Sequence, residues 1–235
     1  MARKKPSDKT EAIAEAAITC FSDLGIRRTQ MADIAKVAGV SVGTLYLYVA
    51  SKEALFHLAI LKVCARPLTN LPLPLTDPGE EASAAIFADR VREVRHWPSL
   101  DEALTSATTP NTGTLRQIGV ELYDMLHEAR RAIWLVDRCA REISAFEQLH
   151  ALDLRAYHRD QIARVALAVK GREGSPSPAL RLAARLAIEA IAWTAMHRLR
   201  ESAANAVPDL TEQQARETAA TSFATILAGA VDAES

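Results

Sequence analysis

Thr44, Tyr46, Tyr48 and Lys52 crowd into one short run, VSVGTLYLYVASKEAL, Val40 to Leu55. A hydroxyl, two phenols and an ammonium at this spacing are hydrogen-bond donors suited to phosphate oxygens. Lys52 and Glu53 also open a helical pattern, so free N–H groups and the positive end of the helix dipole would face the same anion. Arg27, Arg28 and Lys36 bring further positive charge. Phosphate contacts of this kind orient a protein on a duplex, while base edges are read from the major groove. The alternative is a solvated helical face with no partner.

The run itself is ambiguous. Val40, Val42, Leu45, Leu47 and Val49 come near the alternation of a strand, and β-branched and aromatic side chains favour one. An isolated strand would leave its backbone unpaired, and no second strand-like run occurs in the chain. As a helix, with Ser41 as N-cap, the run places Val42, Leu45 and Val49 on one side and ends near Ala50–Ser51.

The preceding residues supply two more helices. Ile13, Ala17, Cys20, Phe21 and Leu24 recur at helical spacing from about Ser7 to Leu24, and Gly25 stands where a left-handed residue ends a helix. A short helix fits Gln30 to Ala38, with Thr29 as N-cap, Met31, Ile34, Ala35 and Ala38 inward, and Gly39 after it. Helix, glycine turn, helix in so short a span is the helix-turn-helix arrangement.

On these residues the sequence resembles the tetracycline-repressor (TetR) family of bacterial transcription regulators. GIRRTQMADIAKVAGVSVGTLYLYVASKEAL, Gly25 to Leu55, carries the resemblance through Gly25, Thr29, Met31, Ile34-Ala35, Ala38-Gly39-Val40-Ser41, Gly43-Thr44-Leu45-Tyr46, Tyr48 and Ser51-Lys52-Glu53. With the positive charge beside it, the expected DNA contacts are Arg27, Arg28, Thr29, Gln30, Val42, Gly43, Thr44, Tyr46, Leu47, Tyr48 and Lys52. Thr29, Thr44, Tyr46, Tyr48 and Lys52 fall at backbone-contacting positions, and Val42, Gly43 and Leu47 near base edges. The chain departs from the pattern at Gln30, often Thr or Ser in the family, and at Val42, often polar or basic. Val42 cannot hydrogen-bond a base, so readout leans on thymine methyls, Tyr46 and the arm Arg3-Lys4-Lys5. The family's Tyr-Phe pair is Tyr48-Val49 here, and Phe56 or Phe21 is expected to fill the missing volume.

Beyond this front the chain reads as all-α. A helix from Lys52 to about Ala65 is followed by RPLTNLPLPLTDPGE, which cannot continue it and is read as a loop. Helical pattern resumes at Glu80–Arg95, Leu100–Ala107, Thr114–Ile143 and Ala145–Lys170, then from Ser177-Pro178 to about Arg200. The last helix opens with the capping box Leu210-Thr211-Glu212-Gln213-Gln214. The expected organisation is a DNA-binding domain over residues 1–50 and a helical ligand-binding and dimerisation domain over 51–235.

In the body, His127, Arg131, Trp134 and Arg138 share a helical face, and Glu189, Trp193 and His197 stack at i, i+4, i+8. With Trp97 (in His96-Trp97-Pro98) and Tyr123 they are the candidate ligand contacts; a solvated or dimer-contacting face is the alternative. The last two helices expose broad apolar faces suited to pairing with a second copy. Such a homodimer would present two recognition helices to a pseudo-palindromic operator, and a small-molecule effector would shift their spacing and release the DNA. The helix from Lys52 would act as the lever.

Composition is compatible with this. Apolar residues make up 49% and charged residues 24% of 235. Net charge is −1, distributed as ten Lys or Arg against six Asp or Glu in residues 1–66 and 18 against 23 in residues 67–235, a basic front on an acidic body. No apolar run is long enough to span a bilayer and no secretory signal is visible, so a bacterial cytoplasmic, nucleoid-associated protein is expected. Cys20, Cys64 and Cys139 form no CxxC pair and read as buried small hydrophobes, with a redox-sensing thiol as the alternative. No metal or cofactor is implied. An enzyme is disfavoured by the lack of HExxH, GxSxG and phosphate-loop motifs, and His150 with Asp153, or His158 with Asp160, reads as surface. Two rivals remain open: a helical interaction module without DNA binding, and an activator of the same fold.

Overall fold

The computed structural model describes residues 6–94, 97–106, 108–146 and 154–233. The arm Arg3-Lys4-Lys5, His96, His150 and Asp153 lie outside them. The described residues form α1 (Pro6–Leu24), α2 (Met31–Ala38), α3 (Val42–Leu45), α4 (Lys52–Val63), α5 (Glu80–Val94), α6 (Pro98–Thr105), α7 (Thr112–Cys139), α8 (Leu154–Val169), α9 (Pro178–Ala195) and α10 (Glu212–Asp232). Short 3₁₀ turns follow α7 at Ala140–Glu142 and α9 at His197–Arg200. The all-α expectation holds.

Two compact units divide the chain. One contains residues 1–94 and 131–152, the other 95–130 and 153–235. This division by compactness cuts elsewhere than the division by role expected at residue 50.

In the first unit, α1 packs on α2 and α4, and α4 on α5. α4 is buried almost all round from Ala54 to Leu61. Phe56 anchors this core, edge-on to Phe21 at 5.8 Å and to Phe146 at 5.6 Å. Such aromatic pairs add about 1 kcal/mol each beyond their burial. In the second unit α9 and α10 lie along each other and against α8, and α6 packs on α8.

Local chemistry explains the helix ends. Gly25 and Gly39 have φ of +80° and +68°, the left-handed conformation that closes a helix. Ser41, Ser51 and Ser177 are N-caps, their hydroxyl oxygens accepting the amides of Thr44, Ala54 and Leu180. Thr211 and Gln214 form the expected capping box, with each side chain accepting the other's amide.

Four expectations need correction. The Ser41–Ala50 helix is only α3; Tyr46, Leu47 and Tyr48 form a turn, and Val49 makes an isolated parallel bridge to Leu75. Ala50 N donates to Leu75 O and Leu75 N to Tyr48 O, both at 2.8 Å. A partner for the strand-like residues therefore exists, inside the proline-rich loop. The N-cap of α2 is Gln30, not Thr29. The helix expected over Thr114–Ile143 ends at Cys139, although Ala140 and Ile143 remain buried. α9 ends at Ala195 because Met196, at φ −126° and ψ −58°, leaves helical geometry.

Candidate nucleic-acid interface

α2, its glycine turn and α3 are held from within. Ile34, Ala35 and Leu45 are buried, as is Val49 beyond them. Gly39 N–H reaches the Lys36 carbonyl and Val40 N–H the Ala35 carbonyl at 3.0 Å, which fixes the turn between the helices. Leu75, held opposite Val49 by the bridge, is also buried, and Phe21 and Phe56 belong to the same core.

This scaffold turns a specific set of side chains outward. Val42 is 39% exposed, Tyr46 47% and Leu47 67%. Arg27, Arg28, Gln30, Lys36 and Gly43 are exposed as well. Thr44 is half-buried, and its hydroxyl shares a 2.8 Å hydrogen bond with Ser41. Tyr48 is half-buried, with its ring against the core. Lys52 Nζ donates to the Thr29 carbonyl at 3.3 Å, tying the start of α4 to the entry of α2.

Thr29 differs from the others and corrects the expectation for its side chain. It is 1% exposed, and its hydroxyl donates to the carbonyls of Gly25 at 2.6 Å and Cys20 at 3.2 Å. It satisfies the end of α1 and has no hydroxyl left for phosphate. Gln30 opens α2 instead, its amide donating to the Asp33 carboxylate at 2.9 Å.

One positioning pair escaped the sequence reading. Arg138 donates to the carbonyl of Leu24 at 2.7 Å, and Glu142 accepts the Arg27 amide at 2.7 Å. A guanidinium on the last carbonyls of α1 complements the negative end of its dipole. No local sequence signal links these residues, which are more than a hundred positions apart.

The candidate ligand contacts are divided between the two units. Arg131 pairs with Glu15 and Arg138 caps α1, both within the first unit, where Trp134 is half-buried. Trp97 is buried in the second unit, its Nε1 donating to Ile118 O at 3.2 Å and its ring edge-on to His158. Glu189 pairs with Arg185, and Trp193, 44% exposed, donates to Glu201. His197 lies on the 3₁₀ turn rather than on α9, so the expected i, i+4, i+8 stack is broken.

Tyr123 and His127 share a site. Their rings stack at 5.9 Å, and both face Glu212, the first residue of α10, at 2.5 Å from the phenol and 3.0 Å from Nδ1. Arg198 closes the knot by bonding Glu212 and Tyr123. Burial, then the bond to Glu212, pushes the Tyr123 phenol up. Burial alone would raise Glu212, but the bonds from Tyr123 and Arg198 outweigh it and hold the carboxyl low.

Among the described residues no group of three or more His, Cys, Asp or Glu could hold a metal, and no helix is long and apolar enough to cross a membrane.

Residues 13–59 match the family model described as bacterial regulatory proteins, tetR family. A Bacillus subtilis (strain 168) protein named uncharacterized HTH-type transcriptional regulator YvdT is 46% identical over 52 residues, 22% of this chain and 27% of that protein. The similarity thus spans about a quarter of that relative's length. A TetR-like transcriptional regulator from Rhodococcus sp. RHA1 superposes over 98% of this chain and 99% of its own, with a TM-score of 0.51 and 18% identity. The ketosteroid transcriptional regulator KstR2 of Mycobacterium tuberculosis gives a TM-score of 0.51 at 18% identity, over 97% of each chain. These likenesses establish the fold over nearly the whole chain.

Proposed function

We propose that this chain, whose front domain is a TetR-family helix-turn-helix, is a ligand-responsive transcription regulator, a repressor that binds a pseudo-palindromic operator as a homodimer. The observation that carries the reading is the outward set Val42, Tyr46 and Leu47 on a helix-turn-helix held rigid from inside, with Arg27, Arg28 and Lys36 exposed beside it. α3 enters the major groove, Tyr46 and the cations meet phosphates, and Val42, Gly43 and Leu47 approach base edges. Tyr48 and Lys52 reach phosphate from the rim.

The second copy docks on α9 and α10. Leu182, Leu186 and Trp193 form an exposed apolar row on α9 at i, i+4 and i+11. Pairing this row with its copy would bury it, and a dimer on a pseudo-palindromic operator needs its two recognition helices about one DNA turn apart, ~34 Å. A small-molecule effector binds beside Tyr123 and His127 and favours a helix spacing that no longer fits the operator. The activator alternative shares every contact and differs only in the sign of that shift.

Anisotropy titration of the full chain against a duplex from upstream of its own gene tests the reading. Affinity should fall steeply with salt, as phosphate contacts require, and sedimentation should show a dimer. Salt-insensitive or absent binding favours the interaction-module alternative, and a strict monomer at micromolar concentration sinks the dimer.

A further inference from the structure

The recognition segment lacks the usual means of reading bases by hydrogen bonds. Bidentate readers are Arg or Lys on guanine and Asn or Gln on adenine, and a carboxylate can accept from cytosine. Val40 to Ala50, VSVGTLYLYVA, contains none of these residues. Its two short hydroxyls are engaged: Ser41 Oγ accepts the Thr44 amide at 3.1 Å and shares a hydrogen bond with the Thr44 hydroxyl at 2.8 Å. The first cation after it, Lys52, lies past the segment and donates one hydrogen bond to the Thr29 carbonyl.

What the segment does present is apolar. Leu47, at 67%, is the most exposed of the large hydrophobic residues among those described, and Val42 is 39% exposed. On α2, Val37 is 56% exposed. Exposed apolar side chains are ordinary on a protein surface, but beside the exposed Arg27, Arg28 and Lys36 these would meet the apolar groups of an anionic partner. In the major groove one base offers it: thymine, through its C5-methyl group.

We infer that Val42 and Leu47 set operator specificity by packing on thymine methyls, so that the half-site is read chiefly through A·T pairs oriented by methyl position. This rests on the DNA-binding reading above and names the class of base it recognises. Tyr46 and the cations hold the register, and the aliphatic pair discriminates.

Selection of duplexes from a random pool by the full-length chain, followed by titration of the selected site with deoxyuridine in place of thymine, tests this. Deoxyuridine keeps the pairing and removes only the methyl. Selected half-sites should hold thymines, and each critical methyl removed should weaken binding about fourfold, the worth of one buried methyl group. In Val42→Ala and Leu47→Ala the thymine site should bind as weakly as the deoxyuridine site, and the difference between the two should vanish at the base each side chain reads. Both residues are exposed enough for melting to stay unchanged. Deoxyuridine tolerated at every position would overturn the inference while leaving DNA binding intact. So would a penalty that persists in both variants, since it would then arise from the DNA's own stiffness. A pool that yields no enriched duplex overturns DNA binding and this inference together.

Discussion

Glu142 closes the turn that leads into the helix-turn-helix: its Oε2 accepts the Arg27 backbone amide at 2.7 Å, and its Oε1 would lie 2.5 Å from any Cβ placed on Gly25. Glycine is required there by its φ of +80°, and any Cβ would also push the end of the Glu142 side chain aside. Gly25→Ala should destabilise the first unit by about 1–2 kcal/mol from the left-handed backbone alone, with the displaced carboxylate adding to it. Glu142→Ala should cost about 1 kcal/mol, since the lost charged hydrogen bond is solvent-exposed. Urea unfolding of both variants checks this; equal stability of Gly25→Ala and the parent would contradict the geometry.

Thr29 and Tyr46 should separate folding from binding. Thr29→Val removes a buried hydroxyl that serves two carbonyls and is expected to lose about 1–3 kcal/mol of stability. Tyr46→Ala removes a side chain that is 47% exposed and should leave the melting temperature nearly unchanged. Operator affinity should show the opposite order once the folded fraction is accounted for. A Tyr46→Ala chain that binds as the parent does would remove the phenol from the interface.

Helix caps and periodic faces were legible because their causes are local. Ser41, Ser51, Ser177 and Thr211 announce helix starts by their own hydroxyls, and Gly25 and Gly39 announce ends by φ. Val49 was not legible: its partner Leu75 sits in a proline-rich loop with no alternation to betray an extended segment. Thr29 was misread for a related reason. Threonine before a helix is a plausible cap, and only the fold reveals that its hydroxyl points back to the Cys20 carbonyl of α1. The dispersed ligand candidates show the same limit, since α7 keeps a regular face while its residues serve different neighbours: Arg131 and Arg138 reach α1, and His127 reaches Glu212.

The three cysteines should be inert in the native chain. All are buried, and burial pushes the thiols of Cys64 and Cys139 up to about 12, with Cys20 raised as well. Thiolate is the reactive form, so a disulfide reagent at neutral pH should label none of them without denaturant and all three in urea. Rapid labelling of any one in the folded chain would revive the redox-sensing alternative for that residue.

His57 gives the first unit a pH-dependent core. It lies on α4, 8% exposed, with Nδ1 2.9 Å from the Ser83 hydroxyl. Burial lowers its pKa from 6.5, and the charge of Asp77 opposes that shift without reversing it. The sign follows from linkage. A histidine whose folded value is depressed binds its proton more readily unfolded, so acid favours the unfolded chain. The penalty is absent well above 6.5 and grows as pH falls through that value towards the lower folded one. His57→Gln retains a polar group for Ser83 but cannot take up a proton. Between about pH 7.5 and 5.5 the urea midpoint of the parent should therefore drop further than that of His57→Gln, the other titrating groups being common to both. Parallel slopes in the two chains would mean that His57 is protonated as easily in the fold as in the unfolded state, and that its burial carries no electrostatic cost.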